Sequence, residues 1–142
     1  MMSVDPKESR PKNEMGATSA AAGEMLDAAR IEGYHAHIYY TPDSRPVAER
    51  LREVIGSSFA VQLGRWHDRA IGPHPVSMYQ VAFPIDEFQR LVPWLMLNRS
   101  GLSILVHPST GDDYDDHARF ALWLGAPLTL KLEALRRAEP KA

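Results

Sequence analysis

The chain has 142 residues, 44% apolar and 24% charged, which suits one globular domain with a real core. Its 16 basic and 18 acidic residues leave a formal charge of −2, so a basic nucleic-acid footprint is not indicated. No apolar run approaches the ~18 residues of a membrane span, and the absence of Cys removes disulfides, thiolate metal sites and a Cys nucleophile together.

Residues 1–30 differ from the rest. Before Ala20 they carry polar residues, Pro and Gly without apolar periodicity. Such a composition does not offset its own ordering entropy, so a disordered arm is expected over 1–30 and a single domain over 31–142. No apolar h-region follows the early positive charges, which argues against a signal peptide. The expected location is cytoplasmic. A loose helix over 19–30 would place Met25, Leu26 and Ala29 on one face.

Tyr34 to Tyr40 reads as a strand, aromatic and β-branched. Pro46 fits the first turn of a helix that carries Val47, Leu51 and Val54 and stops at Gly56. Phe59 to Arg65 alternates as a second strand. Trp66 to Val76 is a loop with His67 and His74, and Ser77 to Phe83 alternates again. Asp86 can cap a helix with Phe88, Leu91, Val92, Leu95 and Met96 on its apolar stripe, and Pro93 predicts a kink or break within it. Leu102 to His107 is a fourth strand. After an acidic turn, a short helix is expected from Tyr114 to Leu124, ending at Gly125. Leu128, Leu130, Leu132 and Leu135 in the tail suit strand or helix.

The order is β-α-β-β-α-β with a C-terminal addition taken as helical. That is the α+β, ferredoxin-like pattern: a four-stranded antiparallel sheet with both helices on one face. The other face needs a partner, a ligand or solvent-tolerant residues. Strand alternation assigns the side chains. Ala36 and Ile38 turn to the helices, so His35, His37 and Tyr39 share the open face. Met78, Gln80 and Ala82 of the third strand join them, with Ser103, Leu105 and His107 of the fourth, and Ala60, Gln62, Gly64 and Trp66 of the second. In this topology the start of the first strand lies beside the end of the fourth. His35, His37 and His107 therefore converge.

Two imidazoles at i and i+2 are ~7 Å apart at the backbone and can lean onto one ion. A third from the neighbouring strand completes a facial N3 set, which suits Fe, Zn, Cu or Ni. A carboxylate from Asp112, Asp113, Asp115 or Asp116 is an alternative third ligand. The plainer alternative is a solvent-facing sheet whose histidines bind nothing. His117 points along the stripe of Phe120, Ala121 and Leu124. It is either a core His bonded to a carbonyl, or a fourth ligand or acid–base group. Within one subunit the loop with His67 and His74 is expected at the far end of the first strand, near Tyr39 and Tyr40 rather than His35. Arg65 or Arg69 there could pair a substrate carboxylate, unless Asp68 and Arg69 merely form a surface pair.

Several blocks in order carry a resemblance. They are Tyr34-His-Ala-His-Ile-Tyr-Tyr40, Gly64-Arg-Trp-His-Asp-Arg69, Gly72-Pro-His-Pro75, Met78-Tyr-Gln-Val-Ala-Phe83, Pro93-Trp-Leu-Met-Leu-Asn-Arg99 and His107-Pro-Ser-Thr-Gly-Asp-Asp113 through His117. Over roughly 33–130 the chain resembles the DOPA 4,5-dioxygenase family of the fungal, ferredoxin-like type, and all 6 His fall in that span. The resemblance implies an extradiol dioxygenase that uses O2 to open a catechol ring beside its hydroxyls, with L-DOPA or a related catecholic acid as substrate. It also implies a homodimer.

On that reading His35, His37 and His107 hold the metal, with non-haem Fe(II) first and Zn or another divalent ion as substitutes. His117 or His74 moves the catechol proton. Tyr39 and Gln80 line the face, and Arg65, His67 or Arg69 meets the substrate. Two other readings use the same fold: a non-catalytic metal- or ligand-binding dimer paired through the open face, and a cofactor-free monooxygenase.

Overall fold

The computed structural model describes residues 23–136. The chain divides into two compact units, Met1–Arg30 and Ile31–Ala142. Most of the expected disordered arm, residues 1–22, lies outside the described residues. In the described part of the first unit, the helix expected over 19–30 shortens to one 3-10 turn, Ala28–Arg30, and Met25 is exposed. Asp27 holds that turn by accepting the Ala29 N–H.

The second unit is an α+β structure. Its elements are β1 (Gly33–Tyr39), α1 (Arg45–Ser58), β2 (Gln62–Leu63), β3 (Met78–Phe83), α2 (Phe88–Asn98), β4 (Ile104–Ser109), α3 (Asp113–His117) and β5 (Leu122–Leu124). The strands form one antiparallel sheet in the order β2-β3-β1-β4-β5, with β1 at its centre. The sheet thus has five strands where the sequence pattern gave four.

The fifth arises where a helix was expected over 114–124. Asp112 caps α3 through the Asp115 N–H, but α3 ends at His117. Leu122 and Leu124 then pair with Val106 and Ile104 of β4. The spacing of His117, Phe120, Ala121 and Leu124 imitates a helix, while Leu122 and Leu124 equally satisfy the strand period. Pairing to the free edge of β4 decides between them. Among the described residues the tail carries a 3-10 turn, Leu132–Leu135, and no α-helix, so the expected helical addition does not form there.

Two other expectations shift. Gly56 does not stop α1, which runs on to Ser58 and buries Ala48, Leu51 and Ile55 while Val54 stays exposed. A Cβ at Gly56 would stand 3.0 Å from Leu63 Cδ1, so this glycine serves close approach of β2 rather than termination. Pro93 lies inside α2, which stays one helix. Its ring faces solvent while Leu91, Val92 and Leu95 are buried, and that packing outweighs one lost backbone hydrogen bond.

The main core lies between the sheet and α1 and α2. Ala36 and Ile38 meet Tyr79, Val81 and Phe83, and Leu102, Ile104, Val106 and Leu124 join them from that side. Tyr79 further ties β3 to α1 by donating its hydroxyl to the Ala48 carbonyl at 2.9 Å. A second cluster lies on the opposite face. Tyr39, Met78 and Leu105 are buried there against Val76, Ala121, Trp123, Leu128 and Leu130. The chain itself therefore covers part of the face that alternation left open. Two hydrogen bonds fasten the covering segment: Ser103 Oγ donates to the Ala126 carbonyl at 2.6 Å, and the Lys131 N–H donates to the Pro73 carbonyl at 2.8 Å.

Candidate metal centre

Five of the six histidines gather on that second face. β1 presents His35 and His37 two residues apart. β4 runs antiparallel beside it, and His35 is the direct register partner of His107. His37 Nε2 lies 3.1 Å from His107 Nε2, with both rings buried. The His35 ring is half-buried and stands 5.2 Å from His107 and 6.2 Å from His37, edge-on to both. α3 brings the His117 ring to 4.0 Å from that of His107. The long β2–β3 connection brings the His74 ring to 4.2 Å from that of His37.

The loop lies beside Tyr39 and Tyr40, as expected, and it also folds back over the sheet within the same chain, so that His74 reaches His37. Paired main-chain hydrogen bonds join His67 to Met78 and Ile71 to His74, and they turn His74 over the sheet. Tyr39 meets it there, with 2.7 Å between the phenolic oxygen and His74 Nδ1. The Tyr39 hydroxyl is thus engaged with His74 rather than open to a ligand. Trp123 stacks on the other side of Tyr39 at 5.9 Å.

The remaining nitrogens define tautomers. His107 Nδ1 donates to the Pro108 carbonyl at 2.8 Å, and His117 Nδ1 donates to the Asp113 carbonyl at 2.8 Å. Each leaves an Nε2 lone pair facing the cluster. Burial is the first cause that lowers the pKa of His35, His37, His74 and His107, and neighbouring imidazoles lower it further. His74 falls to about 4 and His107 to about 3. These four imidazoles are therefore held toward the neutral form, the form in which imidazole binds a metal.

The donor set fits a metal on three grounds. Two sets of ligand atoms lie within 4.8 Å of one another, His35–His37–His107 and His37–His74–His117, and His37 belongs to both. The 3.1 Å Nε2···Nε2 separation suits two nitrogens on one ion, since M–N bonds of about 2.05 Å at 90–109° put them roughly 2.9–3.3 Å apart. Finally, His37 Nδ1 is buried without any partner. The bonds from His107 and His117 to main-chain carbonyls are also those that orient ligating imidazoles elsewhere.

Three of the four candidate carboxylates have other work, and Asp113 is exposed. Asp112 caps α3, Asp115 pairs with Arg119, and the buried Asp116 accepts from Thr110 N–H and Oγ1 at 3.0 and 2.6 Å. The ligand-like groups among the described residues contain only histidines.

Gln80 is the register partner of His37 and is half-buried. His67 is half-buried, and its ring is near enough to His74 to lower that group's pKa. Arg65 and Arg69 are exposed, and neither forms an ion pair or hydrogen bond with the cluster. Asp68 pairs with Arg45, not Arg69, and also accepts the Tyr40 hydroxyl at 2.6 Å. Trp66, expected on the open face, packs instead on the helix side, where its ring meets Tyr79 and Tyr40 edge-on. The short β2 explains this. Strand alternation holds only for Gln62 and Leu63, so it does not reach residue 66.

Sequence reasoning missed the wall formed by Trp123, Leu128 and Leu130. The leucine spacing was visible, but its partner face was not.

A histidine-lined, metal-competent site on an α+β antiparallel sheet defines the class to which this protein belongs. Comparison narrows it: residues 34–134 match the Dopa 4,5-dioxygenase family, and the chain belongs to that family. It is 34% identical over 120 residues to DOPA 4,5-dioxygenase of Amanita muscaria, covering 78% of this chain and 52% of that protein. The aligned region thus spans about half of the Amanita protein. It is also 35% identical over 126 residues to an uncharacterized 21.2 kDa protein of Botryotinia fuckeliana, covering 80% of this chain and 69% of the other. A crystal structure of a provisionally named dioxygenase from Nostoc punctiforme is 59% identical. It superposes with a TM-score of 0.78, covering 79% of this chain and 97% of that one.

Proposed function

We propose that this protein is a metal-dependent extradiol dioxygenase that opens the ring of a small catechol, such as L-DOPA or a related catecholic acid. The reading rests on one observation: five imidazoles converge at β1, β4, α3 and the β2–β3 loop in a member of this family. β1 to β4 with α1 and α2 are read as a ferredoxin-like core extended by β5. Residues 31–142 form the catalytic domain, and the setting is a cytoplasmic homodimer.

His35, His37 and His107 would hold the ion, and non-haem Fe(II) is the ion that suits oxygen chemistry in a neutral imidazole set. Bound there, the metal would supply Lewis acidity toward a catechol and a redox partner for O2. The chain's own residues then have separate tasks. His117 carries a lone pair on Nε2 because Nδ1 is bonded to the Asp113 carbonyl, so Nε2 is the atom that accepts a substrate proton. His74 is the second acid–base candidate, oriented by Tyr39. Trp123, Leu128 and Leu130 shield this side from water. Gln80, beside His37, offers an amide to a substrate hydroxyl. His67, Arg65 and Arg69 on the loop are assigned to the substrate carboxylate.

The test is oxygen uptake by protein loaded anaerobically with Fe(II), then given O2 and a panel of catechols that includes L-DOPA and caffeate. Stoichiometric uptake with a new yellow ring-opened product supports the proposal. One bound metal per chain with no uptake on any catechol favours the non-catalytic binding reading. Turnover that survives chelation favours a cofactor-free oxygenase.

A further inference from the structure

The contact between Tyr39 and His74 fixes where two protons sit. The Tyr39 hydroxyl oxygen lies 2.7 Å from His74 Nδ1, and both residues are buried. Trp123 stacks on the Tyr39 ring and holds its direction. At this distance either group can be the donor. If His74 Nδ1–H donated, the Tyr39 O–H would need a second acceptor, and among the described residues it has none. A buried O–H left without an acceptor is costly. If Tyr39 donates, its proton is used and the Nδ1 lone pair is satisfied. The imidazole proton then sits on Nε2.

That second nitrogen is open to a ligand. His74 Nε2 has no hydrogen-bond partner among the described residues, and unlike His37 Nδ1 and Arg52 Nη1 it is not sealed from solvent. The His74 ring lies 4.2 Å from that of His37 and 5.8 Å from that of His117. His107 and His117 donate through Nδ1 to main-chain carbonyls and turn Nε2 lone pairs to the cluster. His74 differs from them in kind: it brings a proton where they bring an electron pair.

We propose that Tyr39 fixes His74 as an Nε2–H donor, so that His74 is not a metal ligand but the group that holds an anionic oxygen of the bound substrate. The set His37–His74–His117 then lacks a free lone pair at His74, and the ion falls to His35, His37 and His107. Tyr39 is a positioning residue that acts through His74. The substrate favoured is a catechol bound as an anion. The oxygen that has lost its proton accepts from His74 Nε2–H, and His117 Nε2 receives that proton. The substrate role rests on the catechol reading above; the proton's place on His74 does not.

The test uses the full chain, isotopically labelled in its histidines, with and without Zn(II). Side-chain nitrogen NMR distinguishes a ring nitrogen that carries a proton, one with a free lone pair and one bound to metal. Comparison with His74→Gln assigns the His74 signals. His74 should show a protonated Nε2 in both states, whereas His35, His37 and His107 should each move one nitrogen to a metal-bound position. In Tyr39→Phe the His74 signals should relax toward a mixture of tautomers, with Zn(II) affinity within about threefold of wild type. A His74 proton on Nδ1 overturns the proposal, as does a His74 nitrogen that Zn(II) moves to a metal-bound position. Histidine signals that Zn(II) leaves unmoved overturn it as well. The donor role is read by 4-nitrocatechol absorbance on the Zn(II) protein, since Zn(II) has no redox chemistry to turn the probe over. His74→Phe should bind it about tenfold more weakly, and His74→Gln, whose amide N–H replaces Nε2–H, should stay within about threefold of wild type. Equal binding by wild type and His74→Phe overturns the donor role. Failure of the catechol reading shows separately, as 4-nitrocatechol that does not bind wild type at all, because the nitrogen spectra need no catechol.

Discussion

His37 is the residue whose loss should matter most, because both candidate ligand sets contain it. Consider His37→Ala. In the metal-free protein the change removes a ring that is 3% exposed, and the lost packing costs about 2–3 kcal/mol. It also removes a buried Nδ1 that has no partner, a penalty of about 1–3 kcal/mol in the native protein. These oppose each other, so the metal-free variant should keep its fold within about 1–2 kcal/mol of wild type.

The metal response should behave differently. An ion at 100 times its dissociation constant stabilises the native state by about 2.7 kcal/mol. For a domain near 110 residues that raises Tm by roughly 8–15 °C. Thermal denaturation of wild type and variant, with and without Zn(II) or Co(II), measures both quantities, and elemental analysis gives the stoichiometry. Wild type should show the rise and His37→Ala should show none. A variant that keeps both its metal and the thermal shift would refute the assignment of the centre to this cluster. His35→Ala then separates the two sets, since only His35–His37–His107 needs it.

Three further outcomes follow from the same geometry. Chelator-treated protein should lose stability as pH falls below about 6.5, because the unfolded chain binds protons that the buried imidazoles refuse. With folded values near 4 for His74 and 3 for His107, each costs about 1.6 kcal/mol between pH 6.5 and pH 5; urea denaturation at the two pH values checks this, and unchanged midpoints would refute it. Tyr39→Phe should weaken Co(II) binding about ten- to hundredfold if His74 is a ligand, and leave it unchanged if the ion sits on His35, His37 and His107; absorption titration reads the difference. Gly125→Ala should destabilise the unit by about 1–2 kcal/mol, since Gly125 has φ +82° and a Cβ there would fall on the Arg99 guanidinium; a wild-type Tm would contradict that.

The part of the site that strict periodicity governs was legible. Period-two alternation put His35 and His37 on one face, and antiparallel adjacency of β1 and β4 put His107 beside them. Those rules need no knowledge of distant contacts. Trp66 shows where they fail. Extrapolating alternation through a strand of two paired residues turned its ring to the open face, whereas Arg45 and Tyr79 hold it on the helix side. The helix expected over 114–124 failed for a related reason. A short apolar run satisfies both periods, and only the free edge of β4 chooses.

His74 required something periodicity lacks. A two-residue hairpin would have fixed its position by turn chemistry alone. The β2–β3 connection is far longer and carries its own paired bonds at Ile71 and His74, so its path is set by what it covers. Tyr39 and Met78 supply that surface, and the tail reaches the same loop through the Lys131–Pro73 hydrogen bond. The loop and the tail thus bury one end of the face while β1, β4 and α3 deliver imidazoles to the other. Burial is also what keeps the imidazoles of His37 and His107 neutral. The segments that were hardest to place are therefore the ones that turn a polar sheet face into a site able to hold a metal.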